Sequence, residues 1–154
     1  MGKTIALFGT SADPPTIGHK KILEELSKIY TFTISYVSNN PKKNHKEDIS
    51  IRSHLLKTLI EDLDNPKILF NQGVSSQWAV ESINKCKRIY EFNNLDFVIG
   101  SDLIKDIFQW KNFDRITHEV SFLIILREGY PVESNTLKML ETYKVKFKIS
   151  TIKI

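Results

Sequence analysis

"ALFGTSADPPTIGHKKIL", residues 6–23, sets an apolar run against an amphipathic one, with a turn of small residues and two prolines between them. The first run has the length of a strand, and beyond Thr16 apolar side chains return at helical spacing. Gly9, Thr10, Ser11 and Ala12 are small, so the backbone after the strand can come close to a ligand. Pro14 and Pro15 cannot continue the strand and help to fix where the helix begins. Thr16 then caps or opens that helix, whose first amides and positive dipole end make a ready site for phosphate. Gly18 keeps side-chain bulk away from this surface. His19, three residues after Thr16 and on the same helix face, can offer a ring N–H to a phosphate oxygen. The blander reading is a Pro-Pro turn, a threonine cap and a solvated histidine; placement directly after the first strand favours phosphate. Neither the G-K-[ST] of a Walker loop nor a G-x-G-x-x-G fingerprint is present.

The pattern repeats along the chain. Strand-length apolar runs fall at 4–8, 31–37, 67–70, 95–99, 121–126 and 146–151, and a segment able to be helical follows each of the first five. The clearest helices are expected at 17–29, 51–63 and 78–90. Near-continuous apolar strands such as "DFVIG" and "SFLIIL" suit a sheet covered on both faces. Alternation of this kind implies an α/β fold with a doubly wound parallel sheet between two helical layers. In such a sheet a ligand sits beyond the carboxyl ends of the strands, where the opening stretch turns from strand to helix.

The 154 residues, 41% hydrophobic, suit one domain with a real core and no second one. No membrane-length apolar run or signal peptide is recognisable, so the expected compartment is the cytoplasm. The single cysteine, Cys86, excludes an internal disulfide and reads as a buried structural thiol. A formal charge of +4, with scattered lysines, favours anionic ligands without a basic stripe for nucleic acid.

Four ordered segments carry a resemblance. "GTSADPPTIGH" resembles the [H/T]-x-G-H signature of the nucleotidyltransferase superfamily. "SNNPKKNHK" at 38–46 is similar to the Asn-Asn-Pro loop of its nicotinate-nucleotide adenylyltransferases, "IGSDLIKDIFQWKNFDRI" at 99–116 to their I-G-x-D segment with a following Trp, and "LIILREGYP" at 123–131 to their strand and turn around R-x-G-Y-P. Thr10 stands where those enzymes often have a second glycine, Ala12 where they usually have Phe, and Thr16 where His is commoner. Their late I-S-x-T-x-x-R segment is echoed by Ile149, Ser150 and Thr151 with no following Arg. The expectation is therefore a single nucleotidyltransferase domain over 1–154 without that segment, either truncated or a shortened relative, with 149–151 in the last strand.

The resemblance implies a Rossmann-like αβα fold and adenylyl transfer from ATP to nicotinate mononucleotide, with Mg²⁺ carried on ATP and no all-protein metal site. The alternatives are another adenylyltransferase of the superfamily, such as one acting on phosphopantetheine, or a non-catalytic nucleotide-binding module. Its partners would be ATP and nicotinate mononucleotide, without nucleic acid or membrane, and with a homo-oligomer allowed. His19 and Thr16 would be catalytic. Gly9, Thr10, Ser11, Gly18, Lys42, Gly100 and Asp102 would hold ATP and its phosphates; Asn40, Lys43, Arg52, Trp110 and Arg127 would hold the second substrate. Trp110 is the choice for stacking on the pyridine ring, whereas Trp78 is expected on the core edge. For Lys42, Lys43 and Arg52 a solvated charged loop is the competing reading. Asp13 could touch metal-bound water or pin the turn. His45 could join the same loop, and His54 and His118 read as helix-surface residues.

Overall fold

A computed structural model of the chain describes residues 2–39 and 47–153. Six strands form one all-parallel sheet: β1 (Thr4–Thr10), β2 (Phe32–Val37), β3 (Ile68–Phe70), β4 (Asn94–Gly100), β5 (Ser121–Leu126) and β6 (Phe147–Lys153). Their order is β3-β2-β1-β4-β5-β6. The direction of winding therefore reverses between β1 and β4, and the crevice over that reversal is where a doubly wound sheet binds its ligand.

Side chains alternate across the sheet and build two cores. Ala6 and Phe8 of β1 pack with Ile22, Leu23 and Leu26 of α1 (Ile17–Ile29) and with Leu56 and Ile60 of α2 (Ile49–Leu63). Ile5 and Leu7 face the other layer, with Val80, Ile83 and Cys86 of α3 (Ala79–Ile89), Ile116 of α4 (Phe113–Glu119) and Leu140 of α5 (Ser134–Thr142). Each aliphatic side chain fully buried this way contributes about 1.5–3 kcal/mol. Cys86 lies in that core, and burial pushes its thiol pKa up to about 12. It is the structural thiol expected.

Two helix starts differ from the sequence expectation. α2 begins two residues early because Asp48 accepts the Ile51 N–H at 3.0 Å. α3 begins after Trp78, which becomes its N-cap and leaves the apolar stripe. Trp78 is 39% exposed rather than packed on the core edge, with the Lys111 ammonium over its ring at 5.4 Å. One buried charge has no counterpart in the hydrophobic pattern: Asp96 of β4 is 4% exposed and accepts the Tyr30 hydroxyl at 2.6 Å, with Lys148 at 3.4 Å. No helix among the described residues is long and apolar enough to cross a membrane. Ile149, Ser150 and Thr151 lie in β6, as the sequence implies.

Candidate active site

At the carboxyl end of β1 the chain makes the turn expected of it. Thr16 is the N-cap of α1 and closes a capping box with His19. The Thr16 backbone N–H donates to His19 Nδ1 at 2.8 Å, with the Thr16 hydroxyl 3.0 Å from the same nitrogen. His19 Nε2 lies 2.8 Å from Thr10 Oγ1. Burial, and then the positive charge of Arg127, lower the pKa of His19 from its ordinary value. The ring is thus held neutral at neutral pH, with a proton available for donation on Nε2. Ala12 is fully buried at φ 46°, in the left-handed region, and its N–H turns back to Thr10 Oγ1 at 3.3 Å.

The end of β1 and the turn beyond it are fixed from behind. A Cβ on Gly9 would stand 2.7 Å from Cζ and Oη of Tyr36, its register partner on β2, so the close approach Gly9 permits is to that buried ring. Tyr36 hydrogen-bonds Ser82, and burial raises its phenol pKa. Ser11 gives its carbonyl to Arg52 Nη1 at 2.9 Å, while Arg52 Nε donates to the Glu47 carbonyl at 3.0 Å. Arg52 is only 3% exposed, so these donors are committed inside the protein. Asp13 accepts the Glu47 N–H at 3.3 Å, a second tie between the turn and the approach to α2.

Across the crevice, β4 ends at Gly100, where an added Cβ would run into Asp102 Oδ1. Asp102 Oδ2 accepts from Arg127 Nη1 at 3.0 Å, and the Arg127 guanidinium lies 5.8 Å from the Tyr130 ring. Ser101, 5% exposed, accepts the Arg127 N–H at 2.9 Å and donates its own N–H to Ile125 at 2.8 Å, stitching β4 to β5 beyond the sheet. Trp110 follows the 3-10 segment Ile104–Gln109 and is half-buried, its ring edge against Phe97 at 5.5 Å.

The structure therefore gathers Gly9, Thr10, Ser11, Thr16, Gly18 and His19 from one side of the switch point, and Gly100, Asp102 and Arg127 from the other. The Arg127 charge felt by His19 links the two sides. Asn40, Lys42, Lys43 and His45 lie outside the described residues. His54 and His118 are exposed on α2 and α4, as their helical positions imply. Three features escape sequence reasoning: the Thr10 to His19 contact, the burial of Arg52 and the Ser101 stitch. A lone cation at a helix start and a small polar residue at a strand end carry no sign of the partner they meet. An open cleft of about 550 Å³ at Phe108, Phe113 and Tyr143 shares no residue with this crevice.

Residues 7–154 match the family described as Cytidylyltransferase-like. The chain belongs to that family. Curated relatives include a probable nicotinate-nucleotide adenylyltransferase of Nitratiruptor sp., 30% identical over 146 residues, covering 91% of this chain and 82% of the relative. Another, of the same description, from Synechocystis sp., is 30% identical over 146 residues, covering 88% and 73%. Among solved structures, Plasmodium falciparum nicotinic acid mononucleotide adenylyltransferase complexed with NaAD superposes with a TM-score of 0.77 at 22% identity, over 99% of this chain and 75% of that one. At this identity the likeness is one of fold.

Proposed function

We propose that this protein transfers the adenylyl group of ATP to nicotinate mononucleotide, giving nicotinate adenine dinucleotide and pyrophosphate. The observation that carries the reading is the neutral His19 ring, pinned at the mouth of α1 with its proton on Nε2, in a chain whose relatives are described as nicotinate-nucleotide adenylyltransferases. A 5′-phosphate oxygen of the mononucleotide attacks the α-phosphorus of ATP; the new P–O bond forms as the bond to the β-phosphate bridging oxygen breaks, and pyrophosphate leaves. The nucleophile is already ionised, so no side-chain base is required. Catalysis rests on in-line positioning and on donors aimed at the oxygens where charge grows.

His19 Nε2–H and the first amides of α1 supply those donors, with Thr16 setting the ring. The backbone of Gly9, Thr10 and Ser11, with Gly18, lines the phosphate approach. In this reading Asp102 and Gly100 serve the nucleotide ribose, and Arg127 and Trp110 serve the second substrate. Arg52 serves through the turn it braces. Lys42, Lys43 and Asn40 belong to the same proposal for phosphate and substrate contact. No group of three or more metal-ligating side chains occurs among the described residues. The phosphate-binding mouth suits Mg²⁺ that arrives on the triphosphate and keeps most of its waters, as this hard ion does. When bound, it neutralises phosphate charge. Residues 1–154 form one domain in this reading.

The test offers ATP and Mg²⁺ with nicotinate mononucleotide, its amide counterpart or phosphopantetheine, and measures adenylylated product and pyrophosphate. Product from the nicotinate substrate, reduced about 100-fold to 1000-fold in His19→Ala, is the expected result. ATP binding with no product from any of the three overturns it and leaves a nucleotide-binding module.

A further inference from the structure

His19 Nδ1 accepts a backbone N–H, that of Thr16, at 2.8 Å. A backbone amide only donates, so in the neutral ring the proton sits on Nε2. That N–H then donates to Thr10 Oγ1, 2.8 Å away. The same oxygen receives the Ala12 N–H at 3.3 Å. Both lone pairs of the Thr10 hydroxyl are filled from within the turn, and its own O–H is its one remaining hydrogen-bonding capacity. Thr10 is the last residue of β1 and 8% exposed, so the oxygen is carried by the sheet rather than by the loop beyond it.

We propose that Thr10 is a positioning residue for His19: in the free protein its hydroxyl oxygen stands where a phosphate oxygen of the nucleotide will stand, and it keeps the Nε2–H aimed along that line. The inference deepens the transferase reading and rests on its use of His19 as a phosphate donor. A ring held at both nitrogens has lost its rotational freedom before the ligand arrives, so that cost is not met during binding or reaction. Exchange of a neutral hydroxyl acceptor for a phosphate oxygen makes the hydrogen bond charge-assisted and roughly doubles its strength. The direction of exchange is therefore set by the charge of the incoming oxygen.

Thr10→Val keeps the shape and removes the hydroxyl, and Thr10→Ser keeps the hydroxyl. The first readout is the His19 Nε2–H resonance of the free ¹⁵N-labelled protein, assigned by its loss in His19→Gln. It should be visible in wild type and Thr10→Ser and lost to solvent exchange in Thr10→Val. ATP with Mg²⁺ should move it in wild type. The second readout is adenylyl transfer: Thr10→Val should lower kcat/KM for ATP about 10-fold to 100-fold, and Thr10→Ser should recover it. Persistence of the resonance in Thr10→Val, no response to ATP, or equal losses of kcat/KM for ATP in both variants overturns the proposal. A resonance that behaves as expected and moves with ATP, in a wild-type protein that makes no dinucleotide, upholds the positioning role and overturns the transferase reading alone.

Discussion

Arg52 Nη1 donates to the carbonyl of Ser11 at 2.9 Å, joining the first turn of α2 to the turn before α1. With Nε on the Glu47 carbonyl, the guanidinium braces two loop backbones from a site where it is 3% exposed. Two different directions of donation need the planar fork of arginine; a lysine ammonium on its flexible stem cannot reproduce them.

Arg52→Met should therefore cost about 2–3 kcal/mol of stability, the worth of lost hydrogen bonds from a charged donor to buried carbonyls. Arg52→Lys should rescue little of it. Urea unfolding measures the loss, and ATP affinity should fall in the same variants because Ser11 loses its brace. An Arg52→Met protein with wild-type stability and weakened binding of nicotinate mononucleotide alone would return Arg52 to direct substrate contact.

Gly9 gives the second prediction. Its missing Cβ makes room for the Tyr36 ring, 2.7 Å from where that carbon would be. Tyr36 is 3% exposed and hydrogen-bonded to Ser82, so it cannot swing away. Gly9→Ala should destabilise by about 1–3 kcal/mol through overpacking. Tyr36→Leu in the same chain removes the clash, so the double variant should be more stable than the sum of the two single losses allows. Strict additivity in that cycle would show that Gly9 is kept for the ligand side of the turn instead.

Much of this was legible in the residues, and the limits are physical. Strand positions follow from burial on both faces, which needs only apolar runs; all six observed strands overlap the expected segments. The T-x-G-H spacing brings Thr16 and His19 together because an N-cap residue and the third residue of its helix face each other at the helix start. Long-range polar partners are a different matter. Arg52 and Ser11 lie 41 residues apart, and Tyr30 and Asp96 lie 66 apart. Each meets its partner only once strand order is set, and nothing in the local pattern of either residue encodes the other. Asp96 lies inside the apolar stretch "DFVIG" expected as a strand, yet it is a buried acceptor because Tyr30 comes from the end of α1 to meet it.

The final prediction is the pH response. Folding lowers the His19 pKa, through burial first and Arg127 second. Protonation of Nδ1 would also set an N–H against the Thr16 N–H that it now accepts. The unfolded chain takes up its proton near the ordinary value of about 6.5, before the folded protein does. Stability from this group is therefore present above about 6.5 and is lost as the pH falls from there through the lowered folded value. Urea unfolding at pH 7.5 and pH 5.5 should show a larger acid loss in wild type than in His19→Gln, which has no titrating ring. Transfer activity should hold through neutral pH and fall on the acid side, since the protonated ring gives up the Thr16 contact that orients it. The second ionisation of a substrate phosphate, near 6, lies in the same range, so the rate profile is read against the ring itself. The His19 carbon-bound protons, followed by NMR in the free protein, should titrate below 6.5. A titration at or above that value would mean that the ring is charged when it meets phosphate, and Nδ1 would no longer be an acceptor for the Thr16 amide.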